Sequence, residues 1–141
     1  MNSGARSSVE AGHGAPVLVA DNDRNVSDLL CAILARSGIR TACAYDGNAA
    51  QEQGRSATFR VVVCDLDMPG ASGLDVIASF RDLAAPPLVV VISGYVDDEI
   101  QRQLAAWPFV RAVLRKPFDL HEFARIVGEL LRPPAEATEK G

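Results

Sequence analysis

No apolar run in this 141-residue chain approaches the roughly 18 residues that a membrane span requires. Its first residues hold no apolar stretch of the kind a secretory leader needs, so a cytoplasmic location is the expectation. Cysteine is scarce: Cys31, Cys43 and Cys64 are dispersed, share no metal-ligand spacing, and read as buried thiols of a reducing compartment. Positive charge is in deficit. Fourteen Lys and Arg stand against 18 Asp and Glu, for a net charge of −4, which excludes a nucleic-acid surface spread over the whole chain. That balance does not by itself imply an acidic partner, and any one site could still be basic.

A 48% hydrophobic share is enough for one folded domain with a real core. Residues 1–15 and 133–141 are small, polar or Pro-rich and read as flexible tails flanking a domain at 16–132; His13 falls in the first tail. Between the tails, apolar strands alternate with helical stripes. Val17–Ala20 is a short strand. Val26, Leu29, Leu30, Ile33 and Leu34 follow at helical spacing and predict one buried stripe, ended by Gly38. Residues 39–44 read as a more polar edge strand. A weak helix near 48–53 has only alanines to bury. Val61, Val62 and Val63 lead into Asp65 as a strand apolar on both faces. A helix is predicted over 74–83, a strand over 88–92, a polar helix over 97–106, a strand over 110–114, and a last helix whose stripe is Leu120, Phe123, Val127 and Leu130.

Five strand–helix units in sequence require a parallel sheet with right-handed crossovers, and the chain is too short for a barrel of eight. The expected fold is therefore α/β: a doubly wound (βα)5 three-layer sandwich, and in such a sheet of strand order 2-1-3-4-5 the first, third, fourth and fifth strands are neighbours. Ligands of such sheets bind beyond the carboxyl ends of the strands. Those ends carry Asp21 and Asn22, then Asp65 with Asp67 close by, then Ser93, then Lys116 before Pro117. Singly, each has a structural explanation: a helix cap, a turn, a solvated lysine. Together they converge on one edge. Clustered carboxylates repel unless a hard cation joins them. Mg2+ takes one or two carboxylates with waters and phosphate oxygens, and a lysine ammonium and a serine hydroxyl both suit phosphate.

Four segments, VLVADND, VVVCDLDMPGASGLDVI, VVVISGY and VLRKPFD, spread over residues 17–131, resemble the receiver domains of two-component response regulators, the CheY-like fold. The D-x-x-M-P-x-x-x-G-x-[ED]-[VL] run beginning at Asp65 and the Lys116-Pro117-Phe118 triplet are the most specific matches. The resemblance implies that Asp65 accepts a phosphoryl group from a phosphohistidine of a sensor kinase or phosphotransfer protein, with Mg2+ held by Asp21, Asn22, Asp65 and the backbone carbonyl of Asp67. Ser93 and Lys116 would contact the phosphoryl oxygens, and the Lys116–Pro117 bond would be cis. The output would be altered contact with a downstream protein target, without direct nucleic-acid or membrane binding. A homodimer could form through the last two units, whose face would carry Arg102, Arg111 and Arg125. His121, early in the last helix, is read as exposed and not as a phosphohistidine.

Two positions depart from the family pattern. Asn22 stands where a second acid is usual, which weakens the charge on Mg2+ without removing an oxygen ligand; Asp23 is a candidate substitute. Val113 stands where an aromatic ring usually rotates with the switch; Trp107 and Phe109 lie nearby but read as packing residues. These departures keep a second reading open: a degenerate receiver acting as an interaction module independent of phosphate. A third, a flavodoxin-like flavin binder, would need a loop rich in Ser, Thr or Gly after the first strand, where this chain has Asp21, Asn22 and Asp23.

Overall fold

Val61, Val62 and Val63 point alternately to opposite faces of an extended chain, yet all three are fully buried, which requires a cover on both sides of the sheet. The computed structural model describes residues 14–56 and 58–132. Among these residues, five strands alternate with five helices: β1 (Val17–Ala20), α1 (Arg24–Arg36), β2 (Thr41–Ala44), α2 (Gly47–Ser56), β3 (Val61–Asp65), α3 (Gly73–Phe80), β4 (Leu88–Ser93), α4 (Asp98–Ala105), β5 (Val110–Arg115) and α5 (Leu120–Leu130). The strands pair in parallel in the order β2-β1-β3-β4-β5, the expected doubly wound topology.

The two faces of the sheet build separate cores. Leu18, Val62, Cys64 and Val91 pack with Ala50, Val76, Ile77, Phe80 and Leu104 from α2, α3 and α4. Val17, Val19, Val63, Val90 and Ile92 pack with Leu30, Leu34, Phe123 and Val127 from α1 and α5. Each fully buried Val, Leu or Phe contributes roughly 1.5–3 kcal/mol, so two-sided burial of β3 and β4 is what fixes the layering. The strand at each sheet edge, β2 or β5, is less buried along its length.

The polar helix near residue 48 finds its partner through small residues. A Cβ on Gly54 would lie 2.5 Å from the Phe80 ring, and one on Gly47 would lie 1.6 Å from the Ala71 carbonyl oxygen. Thus α2 approaches α3 and the preceding loop too closely for larger side chains, and it runs to ten residues despite a weak apolar stripe.

Other expectations shift in detail. Leu29, placed on the buried stripe of α1, is 51% exposed; Leu30 and Leu34 carry the burial. Helix α3 stops at Phe80, three residues short of expectation, because the chain tightens there: the Leu83 N–H donates to the Phe80 carbonyl, and Leu83 still packs on the core. Strand β2 starts at Thr41, and Ile39 packs against the α1 and α5 core instead. Of the arginines assigned to a dimer face, Arg102 pairs with Glu99 and Arg125 with Glu122 and Glu129, all within their own helices. Arg111 is exposed. The expected tails lie outside the described residues except for Gly14 and Ala15, and Ala15 is buried.

Candidate functional site

Strand register brings the polar residues together. Ala20 pairs with Cys64, so the next residues, Asp21 and Asp65, leave the sheet side by side. Asp65 pairs with Ile92 and Ser93 with Arg115, which places Lys116 just beyond the same edge. A backbone hydrogen bond from the Lys116 N–H to the Ser93 carbonyl (2.8 Å) carries the β4–β5 ladder into the site, and the Lys116–Pro117 bond is cis.

The side chains meet as the strand ends predict. Lys116 Nζ lies 3.2 Å from Asp21 Oδ2 and 3.2 Å from Asp65 Oδ2, one ammonium bridging two carboxylates. Asp21 is fully buried and Asp65 is 2% exposed, whereas the lysine reaches solvent. Asp21 Oδ1 accepts from the Asp23 N–H (2.9 Å), and Asp65 Oδ1 accepts from the Asp67 N–H (3.1 Å). Burial pushes the Asp65 carboxyl up to about 6, with the Asp21 charge adding to it, against the opposing Asp67 N–H and Lys116. Burial alone would lower the affinity of Lys116 for its proton, but the pull of Asp65 and Asp21 outweighs it and the net shift is upward.

Two glycines make room for this arrangement. A Cβ on Gly73 would lie 2.4 Å from the Asp65 carbonyl oxygen, and Gly70 turns with φ +78°. The loop between β3 and α3 therefore folds tightly behind Asp65, anchored where the Gly47 N–H donates to the Pro69 carbonyl (3.0 Å).

The remaining candidates differ in position. Asn22 and Asp67 are exposed at the rim. Asp23 caps α1, its Oδ1 accepting from the N–H groups of Asn25 and Val26, so it is committed to the helix and not free for the site. Ser93 is fully buried; its hydroxyl donates to the Tyr95 carbonyl (2.8 Å) and accepts from the Tyr95 N–H (3.1 Å). That local engagement is the turn weighed for Ser93 in the sequence, a serine bonding the backbone two residues on. Arg115 was missed in the sequence: its guanidinium donates to the Val96 carbonyl (3.3 Å), tying β5 to the loop after β4. Val113 packs on the core beneath α2, α3 and α4, as do Trp107 and Phe109, whose rings stack with centroids 6.2 Å apart. His121 is exposed.

The donor set suits a small hard cation. Two buried carboxylates face one another with hard oxygens only, and Mg2+ ordinarily takes one or two carboxylates and completes its shell from other oxygens. Among the described residues, no group of three or more His, Cys, Asp or Glu side chains converges, so Asp21 and Asp65 are the two carboxylates this edge offers a cation. Nor is any described helix long and apolar enough to cross a membrane.

Comparison with known proteins agrees with the geometry. A CheY-like receiver domain protein from Methanospirillum hungatei superposes with a TM-score of 0.77 at 18% identity, covering 89% of this chain and 97% of that one. A receiver protein from Pseudomonas putida gives 0.74 at 28%, covering 80% and 94%. The response regulator TrrA from Thermotoga maritima, determined in complex with Mg2+ and BeF, gives 0.71 at 27%, covering 82% and 97%. The model of the response regulator receiver domain matches residues 17–127. With most of its length matched and its five strand–helix units in the receiver order, the chain belongs to the response regulator receiver domain family.

Proposed function

We propose that this receiver domain is a phosphoacceptor of two-component signalling, with Asp65 as the residue phosphorylated. The observation that carries the reading is the Lys116 ammonium bridging the buried carboxylates of Asp65 and Asp21 at 3.2 Å each. A surface lysine has no reason to hold two buried acids together, whereas a phosphoryl-transfer site needs a nucleophilic carboxylate and a cation in reach of the incoming oxygens.

In the proposed reaction an Asp65 oxygen attacks the phosphorus of a phosphohistidine on a sensor kinase or phosphotransfer protein. A P–O bond forms, the P–N bond breaks, and its electron pair returns to the imidazole. Mg2+ would be held by Asp21, Asp65 and the Asp67 carbonyl, with the Asn22 amide oxygen alongside; when bound, it neutralises charge on the phosphoryl oxygens. Lys116 turns from the carboxylates to a phosphoryl oxygen. Ser93 exchanges its bond to the Tyr95 carbonyl for one to the phosphoryl group. The product adds roughly −1.5 to −2 charge where one carboxylate stood, and the loop holding Ser93, Tyr95 and Val96 transmits the change toward α4 and β5. Because Val113 has no ring to rotate, Arg115 and its bond to Val96 are the device available for that step. The output is altered contact of the last two units with a cytoplasmic protein target or a second copy of the chain. Autophosphorylation from small donors and self-dephosphorylation at Asp65 are the catalysis expected, not turnover of a diffusible metabolite.

The test is incubation with Mg2+ and a small acyl phosphate, read by intact mass, with Asp65→Asn as control. Mass gain by one phosphoryl group that needs Mg2+ and vanishes in the control supports the reading. Failure at millimolar Mg2+, with no response to beryllofluoride by NMR, refutes it and favours an interaction module independent of phosphate.

A further inference from the structure

Cys31 and Cys43, 12 positions apart in sequence, bring their sulfurs to 3.2 Å. The fold makes this meeting in two steps. The period of two along β2 sends Ala42 and Ala44 into the core under α2 and α3, leaving Thr41 and Cys43 on the opposite side, beneath α1. On α1, Ser27 and Cys31 are one turn apart on the face that meets β2. Ser27 is fully buried, and its hydroxyl lies 3.7 Å from the Cys43 sulfur. Both cysteines remain partly exposed, because β2 is an edge strand. Cys64 differs: it is fully buried within β3 and stands in the other core. The expectation of dispersed, buried thiols is therefore corrected for two of the three: Cys64 is buried, whereas Cys31 and Cys43 are partly exposed and adjacent.

We propose that Cys31 and Cys43 are a redox modification site, closing to a reversible intramolecular disulfide when the protein meets a hydroperoxide. The Cys43 thiolate attacks one oxygen of the peroxide. An S–O bond forms, the O–O bond breaks, and hydroxide (or the alkoxide of an organic hydroperoxide) leaves. Cys31 sulfur then attacks the Cys43 sulfenic acid. The S–S bond forms, the S–O bond breaks, and hydroxide takes up the Cys31 proton to leave as water. Two thiols are oxidised and one peroxide is reduced. Surroundings assign the two roles. Cys43 is held down to about 6 by its hydrogen bond with Cys31 and those with Ser27 and Tyr45, against burial and the Asp28 charge. Cys31, as the partner keeping the proton, is raised by its bond to Cys43 and by burial, and Cys64 by burial and the charges of Asp65 and Asp21. The Arg24 guanidinium lies 4.0 Å over the Tyr45 ring, adding positive charge to this corner. Cys31, Cys43 and the residues around them, Ser27, Asp28, Tyr45 and Arg24, lie outside the proposed phosphoacceptor set, so the inference stands or falls independently of it.

The reduced full-length protein is treated with one equivalent of hydrogen peroxide, quenched, denatured, alkylated and weighed. Intact mass before alkylation falls by about 2 Da, the two hydrogens lost as the S–S bond forms. One thiol, Cys64, then alkylates; the peptide map shows Cys31 linked to Cys43; and dithiothreitol restores three thiols. Cys64→Ala behaves as the native chain. Cys31→Ala loses the bond that does most to hold Cys43 down and cannot close the link, so Cys43 oxidises more slowly and stops at a sulfenic acid that dimedone traps. In the unmodified native protein, Cys43 reacts with a thiol reagent at least about 100-fold faster than Cys64, a readout that depends on no variant. Three alkylatable thiols after treatment, sulfinic acid at Cys43 without a crosslink, or a link through Cys64 would each overturn the proposal.

Discussion

Replacing Asp65 by Asn should make the metal-free protein more stable above neutral pH. Asp65 is 2% exposed and faces Asp21, itself fully buried, with only Lys116 between them. Burial raises its proton affinity from 3.8 to about 6. A carboxyl whose folded value exceeds its unfolded value lends stability below pH 4, and that stability is lost as pH rises through about 6. At about 1.4 kcal/mol per tenfold change in proton affinity, ionised Asp65 costs the folded state roughly 3 kcal/mol at pH 8. Asparagine removes that cost. It keeps an oxygen for the Asp67 N–H, leaves Lys116 paired with Asp21, and introduces an amide N–H pair that needs partners. Allowing for the last, the net gain is about 2 kcal/mol, or roughly 5–10 °C in Tm for a domain of this size. The assay is thermal and urea unfolding of both proteins from pH 4 to 8 with a chelator present. The two should coincide at pH 4 and separate fully above pH 7. Addition of Mg2+ should raise the native protein and narrow the gap, since a ligand of the folded state stabilises by mass action. Equal melting at pH 8, or a gap that does not depend on pH, would refute the electrostatic account.

Two further outcomes follow from packing and hydrogen bonding. Gly54→Ala should destabilise by about 1–2 kcal/mol in urea unfolding, because overpacking against the Phe80 ring outweighs the helix propensity gained, while Gly128→Ala, where a Cβ meets nothing within 4 Å, should stabilise by about 0.5–1 kcal/mol; equal effects at the two sites would rule out close α2–α3 packing as the reason for glycine. Ser93→Ala strands the Tyr95 N–H and carbonyl, costs about 1–2 kcal/mol, and should speed amide exchange at Tyr95; unchanged exchange there would mean that the hydroxyl does not hold the loop.

What could be read from the sequence is what backbone periodicity determines. Alternation along Val61–Val63 and the run from Leu88 to Ile92 specify strands covered on both sides, and parallel strands place Asp21, Asp65, Ser93 and Lys116 on one edge wherever their helices lie. Contacts set by the distance between elements were not legible. Leu29 is exposed because the α1 stripe narrows onto Leu30 and Leu34. The packing of α2 depends on residues it lacks, the absent side chains of Gly47 and Gly54. Cys31 and Cys43 meet only once the spacing and rotation of α1 over β2 are set, and sequence spacing carries no sign of that. For Asp23 the sequence left two uses open, a place at the proposed cation site or a cap at the helix start, and the helix start takes it.

The lysine at the site also has a place in time. It stands 95 positions after Asp21 and 51 after Asp65. On the ribosome, at about 5–20 residues per second, the first acid waits on the order of ten seconds for its counter-charge to be made. Until residue 116 has emerged and β5 has docked, the two acids can be neighbours only as unrelieved like charges. A nascent or truncated chain that stops short therefore holds Asp65 in a repulsive, half-built setting. On the phosphoacceptor reading proposed above, Asp65 therefore becomes competent only after the last strand has been made and docked.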